Sequence, residues 1–213
     1  MNLANKLTIF RMILVPIFVL IGYIGIPGET FGIYNTFLVM NLIFIIASIT
    51  DKLDGYIARS RNQVTTFGKF LDPLADKILV LSALVMLVEF GKIPALIPII
   101  VLTREFLVSG YRLVAVQKDG KVVAASIWGK LKTVTQMLAI IFIFVDKYNL
   151  GDFLRANPNL DPMKNSSSFQ IYMSNGEIVF NVITTLLMVI SVIATIFSGY
   201  NYLKNGKDLL KDN

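Results

Sequence analysis

The chain contains no cysteine and no histidine among its 213 residues. Without cysteine it can form no disulfide and has no thiolate nucleophile, and without both residue types the usual zinc sites are excluded. The absence of histidine also removes the common general base and pH switch near neutrality. Any acid or base chemistry must therefore use Asp, Glu, Lys or Tyr.

Charged residues are also scarce, at 16%, whereas 55% of the residues are hydrophobic and the mean hydropathy is +0.68. This balance lies far on the apolar side of an ordinary soluble domain and predicts an integral membrane protein. The formal net charge is +6, but the basic residues stand at the ends of apolar runs and form no separate polar domain. We therefore expect membrane lipids and phosphorylated small molecules as partners, and no nucleic acid.

Apolar runs of about 20 residues, long enough to cross a bilayer, predict an all-α membrane protein with six transmembrane helices in a single domain, 1–213. The predicted spans are Leu7 to Ile26, Tyr34 to Ala58, Phe70 to Phe90, Ile93 to Gln117, Leu131 to Lys147, and Ile178 to Tyr202. The first run lacks a small-residue cleavage site, which favours a retained span over a signal peptide. Residues Met1 to Lys6 are polar enough for a short N-terminal interfacial segment. The polar run Gly151 to Glu177 is interpreted as an external connector.

The distribution of basic residues predicts the orientation in the membrane. If the N-terminus is cytoplasmic, every Lys and Arg lies on the cytoplasmic side or in a cytoplasmic half-span, with four exceptions: Lys92, Lys147, Arg155 and Lys164. Because cytoplasmic segments carry the basic excess in membrane proteins, this favours a multi-pass protein of the cell membrane with both termini in the cytoplasm.

Four aspartates stand at helical spacing in two neighbouring segments. Asp51 and Asp54 are three residues apart, and Asp72 and Asp76 are four apart, so each pair shares one face of its helix. In the predicted orientation all four lie at the cytoplasmic ends of the second and third spans. Carboxylates in or beside a bilayer cost roughly 2.5–3.5 kcal/mol each on insertion scales, so these acids need neighbouring cations.

Three interpretations of the four acids are considered. Structural ion pairs with nearby Lys and Arg would not explain two helix-spaced pairs beside small residues. An ion-coupled transporter would carry acids near the bilayer midplane, yet the first, fifth and sixth spans lack them in their central portions. All-oxygen ligation suits magnesium or manganese, and two divalent ions would balance four negative charges. Because two such ions stabilise attacking and leaving oxygens at phosphorus, we favour phosphoryl chemistry.

The acids belong to one longer motif, with eight residues between its halves: Asp51-x-x-Asp54-Gly55-x-x-Ala58-Arg59 and Gly68-x-x-x-Asp72-x-x-x-Asp76. This motif resembles the complete signature of the CDP-alcohol phosphatidyltransferases. The resemblance implies that the four aspartates hold two divalent metal ions, Mg2+ or Mn2+, and that Asp76 is also the general base. It implies a second group of residues that contact the lipid-linked nucleotide CDP-diacylglycerol: Asn5, Thr8, Gly55, Ala58, Arg59 and Gly68.

The resemblance extends to the members of that family that use glycerol 3-phosphate as the acceptor. It rests on four segments: Asn5 to Arg11, Phe67 to Lys77, Arg104 to Phe106 with Arg112, and Ala125 to Thr133. It implies that the glycerol hydroxyl attacks the β-phosphorus of CDP-diacylglycerol, that CMP leaves, and that the protein is a homodimer. The external connector is the chief departure from the expected pattern.

An acceptor that carries a phosphate needs an anion site of its own. Four basic residues in or beside the fourth and fifth spans lie on the predicted cytoplasmic side: Arg104, Arg112, Lys130 and Lys132. Arginine can grip a phosphate through two parallel hydrogen bonds, so these residues are candidates for binding glycerol 3-phosphate. Glu105 is expected to orient one of them. The same chemistry with another acceptor, such as a second phospholipid, inositol phosphate or serine, remains an alternative.

Overall fold

The computed structural model describes residues 3–60, 66–119, 127–156 and 173–205. Within these ranges the chain is almost entirely helical, and each predicted span overlaps one long helix. The helices are α1 (Leu3–Ile24), α2 (Asn35–Ser60), α3 (Thr66–Glu89), α4 (Leu96–Asp119), α5 (Ile127–Val145), the short α6 (Phe153–Ala156), and α7 (Asn175–Asn205). Residues Leu3 to Lys6 form the first turn of α1, so the described part of the predicted interfacial segment is continuous with the first span.

Helices α2 and α3 extend beyond the ends of the predicted second and third spans. The polar stretch Arg59 to Lys69 was predicted to separate two spans, but α2 continues to Ser60 and α3 begins at Thr66. Polarity alone does not end a helix, because Arg, Lys and Gln, which occur in this stretch, have high helix propensities. Asp51 and Asp54 lie within α2, and Asp72 and Asp76 lie within α3, in agreement with the helical spacing of each pair.

Three helices of the described residues are long and apolar enough to cross a membrane, over Asn5–Ile24, Ile127–Val145 and Asn175–Lys204. The apolar part of α2 is shorter, Asn35–Asp51. The remaining long helices, α3 and α4, carry charged residues within their length. The structure therefore shows a helical protein with three candidate membrane spans, and the count of six spans stays a prediction.

A two-stranded antiparallel hairpin follows α1, which the sequence did not predict. Its strands are β1 (Glu29–Thr30) and β2 (Ile33–Tyr34), with Glu29 paired to Tyr34 and Thr30 to Ile33. Gly28 and Gly32 have φ angles of 95° and 73°, in the left-handed region that glycine enters without strain. Among the residues that the structure describes, this hairpin is the one departure from the predicted all-α architecture.

The chain divides into two compact units. The first contains Met1–Lys92 with Ile141–Lys147, and the second contains Ile93–Ile140 with Tyr148–Asn213. The prediction of one domain over residues 1–213 stays a prediction.

In the first unit α1 packs against α2 and α3 around fully buried apolar side chains, among them Phe18, Phe44, Leu79 and Leu87. The rings of Phe18 and Phe144 meet edge to face with their centroids 5.9 Å apart. At one end of this unit the buried Lys92 donates a hydrogen bond from Nζ to the Asp146 carbonyl at 2.7 Å. That carbonyl lies just beyond the last residue of α5, so Lys92 caps the helix.

In the second unit α4 packs against α7, whose buried face is lined by small polar residues. These residues follow one another at intervals of three, seven, four and three positions, which keeps them on one side of the helix: Asn181, Thr184, Ser191, Thr195 and Ser198. Small side chains at this spacing let a neighbouring helix approach closely. Asn181 also holds the start of the polar run Gly151 to Glu177, because its side chain donates to the Asn149 carbonyl and accepts from the Phe153 amide.

Candidate active site

The first unit contains a buried polar face on α1. Asn5, Thr8 and Arg11 are three residues apart, so they lie on one side of the helix, and all three are buried. Phe10, Ile13 and Ile17 lie on other sides of the same helix and are exposed. These three polar side chains of an otherwise mostly apolar helix are thus directed into the unit, whereas Lys6 is exposed.

Arg11 connects this face to the signature motif directly. Its guanidinium Nη1 donates a hydrogen bond to Asp51 Oδ1 at 2.6 Å, and the two groups form an ion pair. The Arg11 side chain is 0% exposed, whereas that of Asp51 is 30% exposed. Arg11 was not predicted as a site residue, although its position three residues after Thr8 placed it on the same helix face.

Of the other residues of the signature motif, Asp76 has a side chain that the structure describes. Asp76 is half-buried on α3. Ala75, directly before it, and Leu79, one turn after it, are both completely buried. The remaining positions lie on helical backbone in α2 and α3, but their side chains are outside the part of the chain that the structure describes: Asp54, Gly55, Ala58, Arg59, Gly68 and Asp72.

The carboxylates of the four predicted metal ligands suit a hard divalent ion. Among the described side chains no group of three or more acidic residues could hold a metal, and two of the four predicted ligands, Asp54 and Asp72, are not among them. The described Asp51 carboxylate fits the role of a ligand, because it is partly exposed and is held at one oxygen by Arg11. Carboxylates are the ligands that magnesium and manganese prefer.

The second unit brings two of the predicted acceptor-binding cations together at Glu105. Its Oε1 accepts hydrogen bonds from Lys132 Nζ at 2.5 Å and from Arg104 Nη1 at 2.9 Å. The other terminal nitrogen of Arg104, Nη2, donates to Ser198 Oγ on α7 at 2.5 Å. Arg104 and Lys132 are therefore held by protein partners, and one negative charge offsets part of their positive charge.

Arg112 has a different environment from Arg104. It is exposed, and its Nη2 donates a hydrogen bond to the hydroxyl of the buried Tyr202 at 2.7 Å. Lys130, on α5, is exposed as well. The four cations thus form two groups: Arg104 and Lys132 are tied to Glu105, whereas Arg112 and Lys130 are accessible to a ligand.

Ser198 and Tyr202 were not predicted as site residues. A signal for Ser198 exists in the sequence, because it belongs to the series of small polar residues at helical spacing in an apolar helix. Tyr202 continues that series by four positions, but a tyrosine near the end of a span is equally typical of a membrane interface.

The long apolar helices define an integral membrane protein, with polar residues directed into each unit. A sequence model of the CDP-alcohol phosphatidyltransferase family matches residues 1–197, and the chain belongs to this family. The predicted family is therefore confirmed.

Several relatives are similar to this chain over almost its whole length. A Bacillus subtilis (strain 168) protein named CDP-diacylglycerol–glycerol-3-phosphate 3-phosphatidyltransferase is 38% identical over 217 residues, which cover 99% of this chain and 97% of the relative. A protein of the same name from Haemophilus influenzae is 38% identical over 218 residues, covering 100% and 97%. Another from Rickettsia typhi is 35% identical over 205 residues, covering 95% and 96%.

Proposed function

We propose that this chain transfers the phosphatidyl group of CDP-diacylglycerol to sn-glycerol 3-phosphate, giving phosphatidylglycerophosphate and CMP. The observation that carries the proposal is the 38% identity, over 99% of the chain, to a relative named for this transfer. The chemistry of the residues agrees with it, because the chain has acids suited to divalent ions and a separate cluster of cations suited to a phosphate.

In the proposed reaction the free primary hydroxyl of glycerol 3-phosphate attacks the β-phosphorus of CDP-diacylglycerol. A bond forms between that phosphorus and the glycerol oxygen, and the bond from the same phosphorus to the CMP oxygen breaks. The carboxylate of Asp76 accepts the proton of the attacking hydroxyl, and CMP leaves as the anion.

The metal ligands of the proposal are the four signature acids: Asp51, Asp54, Asp72 and Asp76. Two divalent ions, Mg2+ or Mn2+, would offset the negative charge of the pyrophosphate and of the attacking and leaving oxygens when bound. Arg11 supports one of these ligands, because its hydrogen bond to Oδ1 fixes the orientation of the Asp51 carboxylate. A fully buried arginine is a rigid anchor for this purpose.

The donor nucleotide has its own set of proposed contacts. Asn5 and Thr8 offer polar groups on the buried face of α1. Arg59 would bind the nucleotide phosphates, and residues with little or no side chain would let the nucleotide approach the helix backbone: Gly55, Ala58 and Gly68.

The acceptor phosphate is bound by the cations of the second unit. Arg112 and Lys130 are exposed and contact it directly. Arg104 lies on α4 with Arg112, and Lys132 lies on α5 with Lys130; both add positive charge, while Glu105 holds them in place. An acceptor without a phosphate would gain little from such a cluster, which favours glycerol 3-phosphate over serine.

The proposed arrangement in the membrane has six spans, with both termini and the active site on the cytoplasmic side, and the working protein is a homodimer. The distribution of Lys and Arg supports the orientation. The charges within α3 and α4 are compatible with spans if they face a polar cavity, as intramembrane charges do.

The function is tested with purified protein, CDP-diacylglycerol and magnesium, and one acceptor at a time. The acceptors are glycerol 3-phosphate, glycerol, serine, an inositol phosphate and phosphatidylglycerol, and released CMP is measured. The proposal predicts rapid release with glycerol 3-phosphate and release near background with the others. Equal release with glycerol and with glycerol 3-phosphate would contradict the role of the cation cluster, and a preference for any other acceptor would reassign the reaction.

A further inference from the structure

One side chain of α7, Tyr202, contacts both arginines of α4. Arg104 and Arg112 are eight residues apart, which corresponds to about 12 Å along a helix. Their guanidinium carbons nevertheless lie 5.9 Å and 5.5 Å from the centroid of the Tyr202 ring. A single aromatic ring therefore holds two cations whose backbone positions are two turns apart.

Tyr202 is itself firmly held. It is 5% exposed, and its ring meets that of Tyr111 with centroids 5.8 Å apart and an interplanar angle of 66°. Its hydroxyl accepts the 2.7 Å hydrogen bond from Arg112 Nη2. The ring and the hydroxyl thus act on Arg112 together, through a cation–π contact and a directed hydrogen bond.

The turn of α7 that precedes Tyr202 completes the contact with Arg104. Ser198 accepts a hydrogen bond from Arg104 Nη2. Next to it, a Cβ atom at Gly199 would lie 3.6 Å from Arg104 Cγ, so the arginine stem runs close to the α7 backbone. The segment Ser198 to Tyr202 of α7 thus contacts the side chains of both Arg104 and Arg112.

We infer that Tyr202 is a positioning residue for the acceptor phosphate, holding Arg112, and with Ser198 also Arg104, in the orientation that receives it. This inference rests on the proposed function. Two guanidinium groups near one another repel, and the electron-rich face of the ring offsets that repulsion before an anion arrives. Because the side chains are ordered in advance, less conformational entropy is lost when the phosphate binds. Tyr202 should therefore lower the KM for the acceptor and leave kcat nearly unchanged.

Two substitutions separate the contributions of the hydroxyl and the ring. Tyr202→Phe removes the hydrogen bond and keeps the ring, so the KM for glycerol 3-phosphate should rise about 10-fold. Tyr202→Leu removes both contacts, and the rise should reach about 50-fold. In both variants kcat and the KM for CDP-diacylglycerol should stay within about twofold of the wild type, since Tyr202 is inferred to act on the binding of the acceptor phosphate and not on the reacting atoms.

The matched control is Tyr111→Phe, which removes a hydroxyl from the neighbouring ring and should leave both KM values unchanged. An unchanged KM for glycerol 3-phosphate in Tyr202→Phe and Tyr202→Leu would overturn the inference. Equal increases of both KM values, or a loss confined to kcat, would overturn it as well. Thermal unfolding in detergent identifies a variant that fails to fold. If Tyr202→Leu fails to fold, the KM of Tyr202→Phe, which lacks only the hydroxyl oxygen, tests the inference by itself. Failure of the proposed function is distinguishable, because the wild type itself would then release no CMP with glycerol 3-phosphate.

Discussion

The buried guanidinium of Arg11 and the carboxylate of Asp51 form an ion pair of 2.6 Å that joins α1 to α2. The two residues are 40 positions apart in the chain, so the contact depends on how the helices pack. It links the first helix to the first acid of the family signature. The pair should therefore matter both for the stability of the first unit and for the geometry of the proposed metal site.

Arg11→Met should lower the free energy of unfolding by about 2 kcal/mol, because it leaves a partly buried carboxylate without its cation. The effect should be smaller than that of breaking a fully buried pair, since the Asp51 side chain is 30% exposed. Unfolding by SDS in the presence of EDTA measures this without a contribution from bound metal. Lys6→Met, an exposed cation on the same helix, should change stability by less than about 0.5 kcal/mol. Equal effects of the two substitutions would show that the ion pair contributes nothing.

Asp76→Asn should reduce turnover by at least about 100-fold, because the amide cannot accept the proton of the attacking hydroxyl. Asp72→Asn should abolish turnover through loss of a metal ligand. Both proteins should insert in the membrane and purify like the wild type. Glu89→Gln, which removes an exposed acid from the same helix α3, should retain full activity. Activity near that of the wild type in either aspartate variant would refute the metal assignment.

Arg112→Ala should raise the KM for glycerol 3-phosphate by about 30-fold, because it removes a charge-assisted hydrogen bond to the phosphate. The KM for CDP-diacylglycerol should hardly change. Initial rates measured at varied concentrations of each substrate distinguish the two constants. Lys204→Ala, an exposed cation at the end of α7, serves as the control and should alter neither. If the acceptor KM of Arg112→Ala matches that of this control, Arg112 does not bind the phosphate.

Lys92→Met should destabilise the protein by about 2 kcal/mol without affecting catalysis. The substitution removes the hydrogen bond to the Asp146 carbonyl and the contact of Nζ with the Phe37 ring, whose centroid is 5.4 Å away. SDS unfolding and steady-state kinetics of the same preparation measure both properties. A kinetic defect at unchanged stability would mean that this end of the first unit takes part in the reaction.

The positions of the long helices could be predicted because apolar runs of sufficient length are a local property of the sequence. The family could be predicted because its signature is a fixed spacing of a few residue types, and the sequence match over residues 1–197 confirms it. The hairpin after α1 could not be predicted, since its strands have only two residues each and depend on glycines in the left-handed region.

The side-chain contacts of the cations in the second unit could not be predicted from the sequence. The partners Arg112 and Tyr202 are 90 positions apart, and only the rotation of α4 against α7 brings them together. The division of the cations into a pair held by Glu105 and an exposed pair likewise depends on packing. Residue type and spacing identified candidates for an anion site, whereas the arrangement of their partners needed the structure.

The central claim is that a hydroxyl of glycerol 3-phosphate attacks the phosphatidyl phosphorus in a metal-dependent step. Glycerol 3-phosphate carrying a heavy oxygen isotope in its free primary hydroxyl tests this most directly, with mass spectrometry of both products. The account predicts that the label stays in phosphatidylglycerophosphate, that CMP carries none, and that EDTA stops formation of both. Label lost from the lipid, or a reaction that proceeds undiminished in EDTA, would contradict it.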